Sequence, residues 1–225
     1  MHVSKLFERD GFAEIAGAIS RDDCRSVACE LRKPRIHQAG TRNLLDHEWC
    51  HALALRLKCN YILADLLSVD YVAVQCTLFD KSAAQPWKVP YHQDLSIPVR
   101  KRIDSPGCES WSEKEGAWYT QPPARLLAAL VAVRVHLDDC GAENGPLRVI
   151  SGSHRVGRIA EADVSAFVAH GGEVVCSAKV GDVLVMSPLL LHASAKPTNP
   201  SSRRVLHFVF GPPELPLGLE WRRMI

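Results

Sequence analysis

Apolar and polar positions divide this chain into an N-terminal stretch with helical spacing and a longer stretch with strand spacing. Cys24, Val27, Ala28 and Leu31 recur at the three-to-four-residue interval of one helix face. Ser20, followed by Asp22 and Asp23, supplies a helix start with acids near the positive end of the dipole, and Pro34 bounds the element. Residues 44–67 carry a second helical pattern, expected to break near Cys59-Asn60, and Gly11-Phe12-Ala13-Glu14 forms a short extended entry ahead of both. From Tyr71 the period changes to two, with Val72, Val74, Cys76 and Leu78 as the buried side of a strand over 71–79. Further strand-like runs lie at 132–137, 147–150, 181–186 and 203–210.

Between 96 and 123 no period is visible, and Trp111, Trp118 and Tyr119 stand among proline, glycine and charged residues. An irregular segment of this length inside a compact domain is usually functional, and its aromatics suit a lid over a bound molecule. The chain shows no internal repeat and no Gly/Ser/Pro-rich linker. The expectation is therefore one domain over 1–225: a helical support at 1–68 and a strand-rich core at 69–225 with a lid insertion at 96–123.

Composition narrows the partners. With 47% hydrophobic residues a core is easily filled, and a formal charge of +2 spread along the chain gives no basic patch for nucleic acid. The longest apolar run, 126–133, is far too short to span a bilayer, and the first residues lack the apolar stretch of a signal peptide. The eight cysteines contain no Cys-x-x-Cys pair, so they read as reduced thiols, several of them small core residues, in a cytoplasmic protein. A small-molecule partner follows, with no nucleic acid and no membrane, and a monomer or small homo-oligomer.

Candidate chemistry begins at Tyr91-His92-Gln93-Asp94. On a strand, positions i and i+2 face the same way, so His92 and Asp94 can aim an imidazole and a carboxylate at one point, and His192 can add a second imidazole from a distant strand. Two histidines and one carboxylate leave three octahedral positions open, the arrangement of non-haem Fe(II) oxygenases. A rival lies at His47-Glu48-Trp49-Cys50-His51, which matches the His-Glu-x-x-His pattern of zinc proteases. That pattern lacks a third ligand, and Leu44, Leu45, Leu53, Leu55 and Leu57 mark its segment as a packing helix.

The chain resembles the phytanoyl-CoA dioxygenase family of Fe(II)- and 2-oxoglutarate-dependent oxygenases. The resemblance rests on Phe7-Glu8-Arg9-Asp10-Gly11-Phe12, on Val89-Pro90 before Tyr91-His92-Gln93-Asp94, on the run from Glu143-Asn144-Gly145-Pro146 to Ser151-Gly152-Ser153-His154, and on Leu191-His192-Ala193-Ser194 followed by Arg203-Arg204, all in family order. It implies a mainly β fold with N-terminal helices, the double-stranded β-helix or jelly roll. It makes His92, Asp94 and His192 the ligands of Fe(II), with 2-oxoglutarate and O2 as co-substrates. Arg203, eleven residues after His192, would hold the distal carboxylate of 2-oxoglutarate through its planar fork, and strand alternation sends Arg204 to the opposite face. Ser194 matches a family hydroxyl that bonds the same carboxylate.

For the other end of the co-substrate, Gln75, Lys81 and Gln93 are polar candidates. Arg134, in an apolar strand, needs an anionic partner, which is either a substrate carboxylate or, the favoured alternative, Asp138 or Asp139. The turn-rich stretch 143–154 reads as structural, with His154 bonded to backbone. The expected activity is hydroxylation of a C–H bond in a small molecule with release of succinate and CO2, Trp111, Trp118 and Tyr119 closing over the substrate. The presence of Asp94 disfavours halogenation. A non-catalytic jelly-roll binding protein, and more remotely a zinc hydrolase built on His47 and His51, are the alternatives.

Overall fold

Ser20 does cap a helix: its hydroxyl accepts the Asp23 N–H at 3.1 Å. The computed structural model describes residues 2–32, 40–81, 88–198 and 203–225, so Pro34 lies outside the described residues. Along the N-terminal part run α1 (Val3–Asp10), β1 (Phe12–Ile15), α2 (Arg21–Leu31) and α3 (Glu48–Lys58). The α1 helix was not foreseen. It ends at Gly11, whose φ of 83° lets its N–H turn back to the Phe7 carbonyl. The break after α3 falls at Cys59-Asn60, where the Asn60 side chain accepts the Ile62 N–H at 3.0 Å.

The remaining elements are β2 (Val72–Lys81), β3 (Val89–His92), β4 (Ile97–Val99), β5 (Glu109–Lys114), β6 (Ala117–Gln121), α4 (Ala124–Ala128), β7 (Val131–His136), β8 (Leu147–Ile150), α5 (Val164–His170), β9 (Glu173–Cys176), β10 (Val183–Met186), β11 (His192–Ser194) and β12 (Arg203–Gly211). Five strands pair in the order β1-β10-β7-β12-β2, and four in the order β3-β11-β8-β9. All pairings are antiparallel, and the two sheets are the layers of a jelly roll. The N-terminal part is thus more than a helical support, since β1 is the edge strand of the larger sheet.

Alternation gives the five-stranded sheet two buried faces. Val133 and Val135 of β7, Val183 and Val185 of β10, and Leu206, Phe208 and Phe210 of β12 pack into one cluster with Val27, Leu31, Leu53 and Leu57 of the helices. On the inner face Ala132, Leu184 and Met186 meet Leu147, Val149 and Cys176 of the smaller sheet, closing one end of the barrel. The inner face also carries polar side chains: Arg134 and His136 on β7, Arg203 and His207 on β12, and Lys81 on β2 are all buried.

The 96–123 segment corrects the expectation of an irregular lid. It holds a three-stranded sheet, β4-β6-β5. Glu115 (φ 52°) and Gly116 (φ 72°) form the two-residue loop between Lys114 and Ala117, both in the left-handed region that hairpin twist favours. Trp111 and Trp118 pack against a cluster of Val74, Ile97, Val99, Leu126 and Trp221, so they anchor this sheet to the barrel. Among the described residues no helix is long and apolar enough to cross a membrane, and the eight cysteines are free thiols.

Candidate metal centre and its two pockets

His92 closes β3 and His192 opens β11, and the register of the two strands sets them directly opposite one another. Their rings stand 4.2 Å apart, centroid to centroid. Asp94 lies two residues beyond the end of β3, where its N–H donates to the Pro188 carbonyl at 2.8 Å. Non-strand backbone held by this bond, rather than strand alternation alone, therefore aims its carboxylate. Asp94 Oδ1 is 3.6 Å from His92 Nε2, and Oδ2 is 3.8 Å from His192 Nε2. His92, Asp94 and His192 can each offer one ligand atom with all three within 4.8 Å of one another, the one such group among the described residues.

The backbone sets the imidazole tautomers. Nδ1 of His92 lies 2.9 Å from the Pro90 carbonyl, and Nδ1 of His192 lies 2.9 Å from the Leu190 carbonyl. A carbonyl only accepts, so each Nδ1 carries a proton and each Nε2 is the ring atom turned toward Asp94 and available as a ligand. Burial pushes His192 down to about 4 against the pull of Asp94, which keeps it neutral at ordinary pH. Burial acts to raise the Asp94 carboxyl, but attraction to the surrounding imidazoles in their protonated forms, His192 foremost, pulls it well below the usual carboxylate range. Two imidazole Nε2 atoms and one carboxylate form a donor set that suits Fe(II).

A third imidazole stands behind this set. His207 Nδ1 accepts from Arg134 Nη1 at 3.0 Å, because a guanidinium can only donate. The proton of His207 is therefore on Nε2, 3.7 Å from Asp94 Oδ2. Sequence reasoning missed His207, although it shares a strand face with Arg203 at i+4.

On one side of the centre lies an inner pocket lined by Phe79, Lys81, Arg134, Leu147, Ser194 and Arg203. Arg203 and Lys81 are cross-strand neighbours. Lys81 Nζ donates to Ser194 Oγ at 2.7 Å and to the Ala195 carbonyl at 2.9 Å. Gly145 makes that carbonyl reachable: with φ at 64°, a Cβ there would lie 2.4 Å from the Ala195 oxygen. Burial, then the charges of Arg203 and Arg134, push Lys81 down to about 8, and burial with Arg203 pushes Arg134 down to about 10. Nε of Arg134 and Nε of Arg203 are buried with no hydrogen-bond partner among the described residues. Three crowded cations, the two arginines each with an orphaned Nε, fit a small dianion.

Arg204 leaves the pocket for the other face, where it pairs bidentately with Asp138 at 2.7 and 2.8 Å. Asp138 is thereby taken and Asp139 pairs with Lys179, which corrects the favoured expectation for Arg134. The Arg134 guanidinium instead lies against His207 and over the Phe79 ring, at 5.3 Å from its centroid.

On the other side lies a larger cavity of about 320 Å³, bounded by His92, Asp94 and His207 and walled by Gln75, Thr77, Ile97, Tyr119, Leu130 and Val209, with Arg42 and Lys114 also lining it. Gln75 thus faces this cavity instead of the inner pocket. Its amide donates to Thr77 Oγ1 at 3.0 Å. Of the three aromatics expected over a substrate, Tyr119 lines the cavity, while Trp111 and Trp118 do not. Gln93 is committed to backbone, donating to the Gly157 and Leu189 carbonyls and accepting from Ile159 N–H. Arg42, Thr77 and Lys114 carried no sequence signal.

The His-Glu-x-x-His segment forms no metal group. His47 is the extended residue before α3, not part of it, and stacks on Trp49, while His51 Nε2 is held 2.7 Å from the Leu45 carbonyl. His154 Nε2 lies 3.2 Å from the Glu8 carbonyl.

Solved structures of similar architecture include the epimerase SnoN from nogalamycin biosynthesis in complex with Fe3+, alpha ketoglutarate and nogalamycin RO (TM-score 0.72, 14% identity, 93% of this chain and 82% of that one). They also include the alpha ketoglutarate dependent carbocyclase SnoK from nogalamycin biosynthesis (0.70, 17%, 93% and 83%) and AviO1 from Streptomyces viridochromogenes Tue57 (0.65, 21%, 95% and 95%). No curated protein sequence matches significantly. The family profile described as phytanoyl-CoA dioxygenase matches residues 7–205, and with the jelly roll and the His-Asp-His group on one barrel this chain belongs to the phytanoyl-CoA dioxygenase family.

Proposed function

We propose that the protein is an Fe(II)- and 2-oxoglutarate-dependent oxygenase that hydroxylates a C–H bond of a small organic substrate, releasing succinate and CO2. The observation that carries this reading is the adjacency of an open three-ligand group to a buried pocket holding three cations. His92, Asp94 and His192 would hold the iron, leaving open positions. Arg203, with its unused Nε, would take the distal carboxylate of 2-oxoglutarate in its fork, and Ser194 and Lys81 would bond the same end. Bound together, iron and 2-oxoglutarate supply the oxidation of an unactivated carbon by O2. The chain's part is positional. His207 sets its Nε2–H beside Oδ2 of Asp94, Arg134 fixes that tautomer, and Ile97, Leu130 and Val209 give the larger cavity an apolar side for the substrate carbon.

SnoN and SnoK are an epimerase and a carbocyclase, so this architecture also serves reactions other than hydroxylation. Incubation of the protein with iron, ascorbate, 2-oxoglutarate and a metabolite extract, read by mass spectrometry, separates the outcomes. Gain of one oxygen atom in a product, with equivalent succinate, is the expected result. His92→Ala, Asp94→Ala and His192→Ala should each abolish iron-dependent succinate formation. Turnover in Asp94→Ala near that of the wild type would remove the assignment.

A further inference from the structure

The larger cavity has a charge that the metal centre does not explain. Asp94 is the one acid among its lining residues and is committed to the metal, whereas Arg42 and Lys114 both line it. The Lys114 side chain has no ion-pair or hydrogen-bond partner among the described residues, and its ammonium lies over the Tyr119 ring, 5.2 Å from the centroid. Burial, and then the charge of Arg42, hold its pKa below the ordinary lysine value.

These two cations are fastened together. Glu115, in the hairpin turn beside Lys114, accepts the Arg42 backbone N–H at 2.9 Å and the Arg42 guanidinium at 3.3 Å, and its carbonyl accepts from Asn43 Nδ2 at 2.9 Å. The chain around Arg42 is in turn fixed along β2: Gly40 N–H donates to Leu78 O and Leu78 N–H to Thr41 O, both at 2.9 Å. Two like charges are thus held on one wall by backbone bonds, and Glu115 pairs with Arg42 while Lys114 keeps no acidic partner among the described residues. Holding such a pair beside a partly desolvated cavity is unfavourable until an anion arrives. The inner pocket cannot provide it, because its own three cations match the dianionic co-substrate.

We propose that the substrate carries a carboxylate or phosphate-monoester anion held by Lys114 and Arg42, and that this contact directs its carbon chain past Ile97, Leu130 and Val209 toward His92 and Asp94. The proposal rests on the oxygenase reading and adds the substrate class and two specificity-determining residues. A volume of about 320 Å³ is at the small end for ligand sites, which suits a compact molecule enclosed with its charged end recognised.

The test uses the whole protein with Mn(II) in place of iron and saturating 2-oxoglutarate, so that the inner pocket is filled and no turnover occurs. Hexanoate, hexyl phosphate and the neutral hexanamide are titrated, and Mn(II)-induced relaxation of their protons is followed by NMR. One or both anions should bind roughly tenfold to a hundredfold more tightly than the amide, the magnitude of a charge-assisted contact. The terminal methyl should relax faster than the protons next to the charged group. Lys114→Met should erase the preference and Lys114→Arg should restore it, which distinguishes recognition from a folding defect. The better of the two anions identifies the headgroup. Equal affinity for the amide, or a preference that survives Lys114→Met, overturns the anion site while leaving the metal reading intact. Absence of Mn(II) uptake by the wild type overturns the metal reading, and this proposal with it.

Discussion

The two faces of β7 and β12 are equally buried and entirely different in kind. Toward the helices stand Val133, Val135, Leu206, Phe208 and Phe210; toward the barrel stand Arg134, His136, Arg203 and His207. The first face follows the rule that buried side chains are apolar, and each of its larger side chains contributes about 1.5–3 kcal/mol by leaving water. The second breaks that rule on the same strands, one residue out of phase. If the proposed function holds, stability comes from one side of the sheet and chemistry from the other, so substitutions on neighbouring residues should separate the two properties.

The largest effect expected is at the pair Phe208 and Arg203. Phe208→Ala should lower stability by about 3–5 kcal/mol through the cavity it leaves, read by denaturant unfolding, with 2-oxoglutarate affinity retained in the folded fraction. Arg203→Met should do the reverse. It removes a buried cation whose Nε has no partner, so the ligand-free melting temperature should hold or rise, while 2-oxoglutarate affinity falls by about 2–5 kcal/mol. A loss of stability in Arg203→Met as large as that in Phe208→Ala would mean that the inner face is structural as well.

A smaller change is expected at His207, which lies beside Asp94 without joining the three-ligand group. His207→Leu keeps the bulk but removes the N–H aimed at Asp94, and should weaken Mn(II) binding by about 10–100-fold, the usual loss when a group supporting a metal ligand is removed. Unchanged Mn(II) affinity would make His207 a filler of space.

The smallest effect concerns pH. Lys81 titrates near 8 in the folded protein, below its ordinary value of 10.5. Its burial is therefore a penalty on the folded, ligand-free protein that is fully present below pH 8 and is relieved as pH climbs from about 8 toward 10.5, where the unfolded chain binds the extra proton. Binding of the dianion has the opposite sign. It needs Lys81 charged, so 2-oxoglutarate affinity should fall above pH 8 by no more than about tenfold per unit, with proton uptake on binding visible by calorimetry in buffers of different ionisation enthalpy. Affinity flat from pH 7 to 9 would detach Lys81 from the co-substrate.

The same contrast explains what could be read from sequence. The helix-facing residues follow simple periods, and with them β7, β8, β10, β12 and α2 were legible nearly to the residue. His92, Asp94 and His192 were legible because the spacing of two brings side chains together locally and the remaining motifs fix the order of strands. His207 was legible in principle from alternation with Arg203, but a histidine in an apolar strand carries no signal until its partners are known. Trp111, Trp118 and their sheet were misread for a physical reason. β5 has no fully buried residue and has a register shift between Glu109 and Ser112, so no period survives, and its turn uses Glu115 where asparagine or aspartate would have announced a hairpin. Arg42 and Lys114 meet across more than seventy residues of chain, through Glu115, and no local pattern records such a meeting.

That hairpin has a consequence for how the protein can change. The hairpin touches the cavity through Lys114 and Tyr119 but supplies none of the three residues of the metal group and none that line the inner pocket. Substitutions there, or a longer turn at Glu115-Gly116, can alter which molecule is admitted without disturbing the groups that would carry out the oxidation. Selection, or a designer, can revise the selectivity of this barrel one exposed loop at a time while its reactivity stays inherited.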